Sequence, residues 1–140
     1  MRAMGLDIGS VTVGVSLSDG LKMIASSYTV IRYEVENEEL YQKIVDIIKE
    51  EEVDEVIVGM PYHMNGDFSV GCERSKRFIE GIKKLIDVKI IEIDERMSTV
   101  SAQNALFTFD VSRKKRKQVV DKVAATVILQ TYLDRNSRLF

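Results

Sequence analysis

Residues 4–20 read MGLDIGSVTVGVSLSDG, and the fold follows from how this stretch is divided. Its first half is an apolar run, from about Arg2 to Ile8, carrying a single carboxylate, Asp7, near its end. After Gly9-Ser10, the residues Val11, Val13, Val15 and Leu17 alternate with Thr12, Gly14, Ser16 and Ser18. That period of two is the signature of a half-buried strand. Asp19-Gly20 is a hairpin signal, and Lys22 to Arg32 can supply a third strand. Three successive strands joined by tight turns imply an antiparallel meander.

Beyond the meander the period changes. Asn37 can cap a helix running to about Glu51, with Leu40, Tyr41, Ile44, Val45, Ile47 and Ile48 at helical spacing. Val56-Ile57-Val58-Gly59 reads as a short buried strand closed by Met60-Pro61, and Asn65-Gly66 marks a loop. A second helix is expected from about Val70 to Leu85, a fifth strand from Val88 to Ile93, and a third helix from Ser98 or Thr99 to Phe107. A last helix runs from about Gln118 to Leu133. The parallel strands need helical crossovers, so the order implies one α/β domain over residues 1–140 with a mixed five-stranded sheet.

Bulk properties narrow the function classes. The chain has 140 residues, 45% of them hydrophobic and 30% charged, the values of a soluble globular domain. Its one cysteine, Cys72, rules out an internal disulfide. No leader peptide and no membrane-length apolar run is evident, so a cytoplasmic location is expected. Net charge is only −2, yet Arg113 to Lys117 is an uninterrupted basic run. Such a patch can bind a phosphate backbone, and without interleaved aromatics it does not read as a base-stacking surface.

Three acidic positions stand where carboxylates are costly. Asp7 ends an apolar strand, Asp94-Glu95 follows another, and Asp121 interrupts the apolar start of the last helix. On that helix Asp121 shares a side with Ala124 or Ala125, Ile128 and Tyr132. Ionised carboxylates are rarely buried unless paired or bound to metal. A convergent site for Mg²⁺ or Mn²⁺ is therefore one reading. Bland readings stand beside it. Asp7 with Gly9 could be turn chemistry, Arg96 could neutralise Asp94 or Glu95, and Asp121 could complement a helix dipole. Alternation lets only one of Asp94 and Glu95 point with Asp7. His63, in a loop, reads as incidental. No Walker-type loop and no Cys/His zinc pattern occurs.

Taken together these residues resemble the YqgF/RuvX family, assigned to pre-16S rRNA processing or to Holliday junction resolution. The marks are Gly5-Leu6-Asp7-Ile8-Gly9-Ser10, Gly14-Val15 with Ser18-Asp19, and Gly59-Met60-Pro61 with Met64-Asn65-Gly66. Further marks are Asp94-Glu95-Arg96-Met97-Ser98-Thr99 and Val120-Asp121-Lys122-Val123-Ala124-Ala125, and together they span nearly the whole chain. The resemblance implies an RNase H-like fold with helices on both faces of the sheet. It places catalytic metal ligands on Asp7, Glu95 (rather than Asp94) and Asp121. It departs from the family pattern at Val11 and Thr12, where basic residues often follow the first Gly-Ser.

The expected activity is metal-assisted phosphodiester hydrolysis on structured RNA or branched DNA, with processing of the 5′ end of pre-16S rRNA foremost. Arg96, Lys114, Lys115 and Lys117 would hold phosphates, with Ser10 and Thr99 assisting. A junction resolvase would need two sites, hence a homodimer. A non-catalytic nucleic-acid-binding or transcription-associated module on the same fold would bind without cutting. A small actin-like phosphotransferase would normally need a second domain.

Overall fold

The computed structural model describes residues 1–63, 65–67, 69–94 and 124–135. The helix expected over 98–107, the basic run 113–117 and the first turns of the last helix lie outside the described residues. Five strands are present: β1 (Arg2–Ile8), β2 (Thr12–Ser18), β3 (Ala25–Arg32), β4 (Val53–Met60) and β5 (Lys89–Asp94). Helix α1 (Glu38–Glu50) precedes β4, and α2 (Val70–Leu85) precedes β5. Residues 124–135 form a helix, here α3. The sheet order is β3-β2-β1-β4-β5. β1 is antiparallel to β2 and parallel to β4, and β4 is parallel to β5. No helix among the described residues is long and apolar enough to cross a membrane.

The two crossover helices form where periodicity and capping agree. The Asn37 side chain accepts the Leu40 N–H at 3.0 Å, with Glu38 and Glu39 in the first turn and Lys49 in the last. Leu40, Ile44, Val45 and Ile48 are then buried against the sheet. Ser69 does the same for α2, accepting the Cys72 N–H at 3.1 Å while its hydroxyl donates to the Pro61 carbonyl at 2.5 Å. Both helices cover the face bearing Met4, Leu6, Ile8, Val13, Val15, Leu17, Val56 and Val58.

The opposite face carries α3. Ala125, Ile128, Leu129 and Leu133 are buried there with Ala3, Ile57 and Ile93. Period-two reading makes β2 half-buried, but all seven of its residues are buried. The polar alternates are small and bonded: Ser16 Oγ donates to the Ala125 carbonyl at 2.7 Å, and Ser18 Oγ accepts the Ala3 N–H at 2.8 Å. Small side chains let a helix backbone sit close, and their hydroxyls satisfy what it brings. Gln130 fastens the other side of α3, accepting the Ala25 N–H at 2.8 Å and donating to the Met23 carbonyl at 3.0 Å. The Tyr132 hydroxyl donates to Glu55 Oε2 at 2.9 Å.

Two elements differ from expectation. β4 starts at Val53, three residues before the apolar run. Asp54 and Glu55 are tolerated in the strand because Lys22 Nζ donates to Asp54 Oδ2 and to Glu55 Oε1, each at 3.0 Å. Asp54 Oδ1 lies 2.8 Å from the same Nζ, an ion-pair distance without hydrogen-bond alignment. β3 begins at Ala25 rather than Lys22, and no two-residue turn forms at Asp19-Gly20. Instead the Asp19 carboxylate accepts the N–H groups of Ile24 (2.9 Å), Met23 (2.8 Å) and Leu21 (3.3 Å), and Lys22 takes the left-handed conformation at φ 56°.

Those amides, Ile24 first and then Met23, hold the Asp19 carboxyl below its ordinary pKa. A depressed folded-state pKa means that the unfolded chain binds more protons, so this contribution is present above the ordinary carboxylate pKa. It is lost as pH falls through the lower, folded value. Asp19→Ala is therefore expected to lower the urea midpoint at neutral pH, and the gap from wild type should narrow below about pH 4. A gap independent of pH would show that the carboxylate charge does not close this loop.

Candidate metal centre at the carboxyl end of the central strand

Asp7 is the penultimate residue of β1, the middle strand of the sheet, and is half-buried. Alternation along β1 sends Met4, Leu6 and Ile8 into the core under α1 and α2. Ala3, Gly5 and Asp7 therefore face α3. Asp7 stands opposite Gly14 on β2. On its other side the last registered pair is Leu6 with Val58, so Gly59 is the next residue along β4. The residues directly beside the carboxylate on both neighbouring strands are thus glycines. Gly14 and Gly59 are legible in the sequence as motif glycines, but their role as spacers follows only from this register.

α3 runs toward Asp7. A Cβ on Gly5 would come within 2.8 Å of both the Ala125 carbonyl oxygen and Leu129 Cβ. Seven residues after Ala125, Tyr132 reaches Glu55, which is in register with Ala3. The helix is thus antiparallel to β1, and its amino end lies on the side where β1 ends.

Asp94 closes β5, paired with Met60 at the end of β4. Ile91 and Ile93 pack on the α3 face, whereas Ile90 packs on the other. Glu92 follows Ile90, ion-paired with Lys76 of α2 at 2.5 Å. Asp94 has the parity of Ile90 and Glu92, so it does not share the face of Asp7. Ser10 is exposed in the hairpin between β1 and β2. Glu95, Arg96, Thr99, Lys114, Lys115, Lys117 and Asp121 lie outside the described residues. Among the described residues no three His, Cys, Asp or Glu side chains come together in a group able to hold a metal ion.

The hairpin has no amide open to a phosphate at Gly9. Its N–H donates to the Thr12 carbonyl at 2.8 Å, its carbonyl accepts the Tyr33 hydroxyl, and its φ is not positive. Turn chemistry accounts for Gly9. A Cβ there would stand 3.1 Å from the Thr12 carbonyl oxygen. His63 and Gly66 form a tight loop, His63 N–H to the Asp67 carbonyl at 2.9 Å and Gly66 N–H to the His63 carbonyl at 2.8 Å. Gly66 sits at φ 92°, as the Asn65-Gly66 signal requires.

A hard divalent cation prefers carboxylate oxygen and retained water, and Asp7, with glycine opposite it on β2, is a donor of that kind. One carboxylate does not make a centre, and the other two expected ligands lie outside the described residues.

Comparison with known proteins places this geometry in context. Residues 1–135 match the family model described as "RuvX: Holliday junction resolvase". A Bacillus cytotoxicus protein described as "Putative pre-16S rRNA nuclease" is 44% identical over 135 residues, 96% of this chain and 98% of that protein. A Desulforamulus reducens protein of the same description is 46% identical over 138 residues, 99% of this chain and all of that one. Among solved structures, Thermus thermophilus RuvC in complex with Holliday junction substrate superposes with a TM-score of 0.55 at 11% identity, covering 97% and 96% of the two chains. The fowlpox virus resolvase in complex with Holliday junction DNA gives 0.56 at 14% identity, covering 97% and 99%. The shared architecture is the RNase H-like fold.

Proposed function

The chain belongs to the RuvX family, and from that premise we propose that it is a divalent-metal-dependent nuclease that processes the 5′ end of pre-16S rRNA. The observation that carries the reading is the setting of Asp7: a half-buried carboxylate at the end of the central strand, between Gly14 and Gly59, with α3 directed at it.

The ligand set is Asp7, Glu95 and Asp121. Alternation along β5 supports Glu95 over Asp94, because a carboxylate destined for the α3 side must come from the residue after Asp94. Asp121 precedes Ala125 by only four residues in sequence, and Ala125 packs over Gly5 at the amino end of α3, which is directed at Asp7. When bound, Mg²⁺ or Mn²⁺ supplies Lewis-acid polarisation of the phosphodiester and a more acidic water. The three carboxylates bind and orient the ion, and no protein nucleophile is required. Ser10, exposed beside Asp7, and Thr99 offer hydroxyls to phosphate oxygens. Arg96, Lys114, Lys115 and Lys117 bind the backbone, which makes affinity fall with salt. This charge on later segments takes the place of basic residues at Val11 and Thr12.

Cleavage of end-labelled RNA carrying an immature 16S 5′ end, beside four-way DNA junctions, tests the reading in EDTA, Mg²⁺ and Mn²⁺. Metal-dependent cutting confined to the RNA is expected. Cutting of junctions by a dimer would select resolution instead, the activity in the description of the matching family model. Salt-sensitive binding with no cutting in any metal would leave a binding module. In the same assay Glu95→Gln should remove activity while Asp94→Asn retains it. The reverse pattern would overturn the assignment drawn from strand parity.

A further inference from the structure

Gly9, two residues past Asp7, is held at both backbone groups. Its N–H closes the hairpin on Thr12, and its carbonyl accepts the hydroxyl of Tyr33, which lies just beyond β3. The Tyr33 N–H in turn donates to the Val11 carbonyl at 2.9 Å. One residue therefore grips both sides of a loop whose own side chains, Ser10 and Val11, are exposed.

Tyr33 is itself braced. Its ring meets the buried Phe78 of α2 edge-on, centroids 6.0 Å apart at 62°. Phe78 meets Tyr41 of α1 at 5.0 Å and 78°. The Tyr41 ring lies over Gly81, where a Cβ would collide with it, and its hydroxyl donates to Glu36 at 2.5 Å. Arg77 closes the chain with two 3.0 Å bonds to the Glu36 carboxylate. Burial works to raise the Glu36 carboxyl, but the bonds from Arg77 and Tyr41 outweigh it and keep the group ionised. An unbroken series of contacts links α1 and α2 to the backbone just after Asp7.

We propose that Tyr33 is a positioning residue for the metal centre, its hydroxyl on the Gly9 carbonyl fixing the direction in which the chain leaves Asp7 and so the aim of that carboxylate. The inference rests on the reading of Asp7 as a metal ligand. Without the bond, the Gly9 carbonyl is released while the Gly9–Thr12 closure and the Tyr33 N–H on Val11 remain, so the backbone leaving Asp7 gains freedom that metal binding must then remove. Outer contacts that orient a ligand commonly change metal affinity by about 10–100-fold. The alternative is that Tyr33 only covers Phe78, a role that its ring alone performs.

Tyr33→Phe separates the two, because it keeps the ring and deletes one bond. Tyr28→Phe is the control: it deletes a tyrosine hydroxyl bond, 3.1 Å to Glu51, from the middle of β3 and away from the Gly9 hairpin. Mn²⁺ binding to the full chain, followed by the electron paramagnetic resonance signal of free Mn²⁺, is measured for wild type, both variants and Asp7→Asn. The Kd of Tyr33→Phe should rise roughly tenfold, with a melting temperature like that of Tyr28→Phe, which binds as wild type does. Wild-type affinity in Tyr33→Phe, with binding lost in Asp7→Asn, overturns the positioning role and leaves the metal reading standing. Weakened binding accompanied by melting well below Tyr28→Phe also overturns it, since the effect is then global. Binding indifferent to Asp7→Asn overturns both readings together.

Discussion

Asp7→Asn is expected to abolish metal-dependent cleavage, by on the order of a thousandfold or more, while the protein folds as before. Asparagine has nearly the shape of aspartate and keeps an acceptor oxygen, so the packing between Gly14 and Gly59 is undisturbed. What disappears is the negative charge, the larger part of a hard cation's preference for this position. Stability should separate from activity in a recognisable way. Without metal, the near-isosteric variant should melt close to the wild-type temperature. With metal the two diverge. A ligand present at a hundred times its Kd stabilises the native state by about 2.7 kcal/mol. Wild type should gain that increment in Mg²⁺, and Asp7→Asn should gain little. A variant that cut RNA at the wild-type rate would remove Asp7 from the site.

The second large effect is on stability. Gly5→Ala puts a methyl group where Ser16 Oγ, the Ala125 carbonyl and Leu129 Cβ converge, the last two at 2.8 Å. Two of these three contacts cannot swing away, because one is helix backbone and the other is a Cβ fixed to it. Ser16 is committed as well, since its hydroxyl holds the Ala125 carbonyl. α3 must lift from the sheet or β1 must bend, and either strains a closely packed interface. Overpacking of this kind costs about 3 kcal/mol, and the melting temperature should fall by roughly 10 °C. On the proposed ligand set activity should fall further than stability, because Asp121 comes just before the displaced helix in the sequence. A Gly5→Ala protein melting within about a degree of wild type would mean that α3 does not seat as described.

Much of the fold was legible because local and long-range signals agree. α1 and α2 have clean helical periods and side-chain caps at Asn37 and Ser69, and their ranges match the expected ones to within a residue. Where local signals mislead, a distant partner is responsible. Asp54 and Glu55 do not look like strand residues until Lys22, more than thirty positions earlier, neutralises them. The alternation in β2 marks it as half-buried, because nothing within the strand announces a helix arriving on its polar side. Asp94 and Glu95 could not be separated by inspection. The parity of β5 against β4 removes Asp94 from the face of Asp7. Asp7 itself was legible as a carboxylate in an apolar run. Its glycine flanks were not, since Gly14 and Gly59 meet it only through pairing across two strands.

The seat of α3 also bears on the order in which the protein comes into being. Ser16 and Ala125, joined by one hydrogen bond, are 109 residues apart, and Ala25 and Gln130 are 105 apart. A ribosome adding about 5–20 residues per second needs several seconds to travel between such partners. Through that interval the nascent sheet can gather α1 and α2 on one side, while Ala3, Gly5 and Ile57 wait uncovered on the other. The proposed centre, which joins Asp7 to residues more than eighty positions later in the sequence, cannot be complete on a half-made chain. On that reading, competence to cut waits until α3 has been made and seated, and the same delay makes the bare face the natural place for a chaperone to hold.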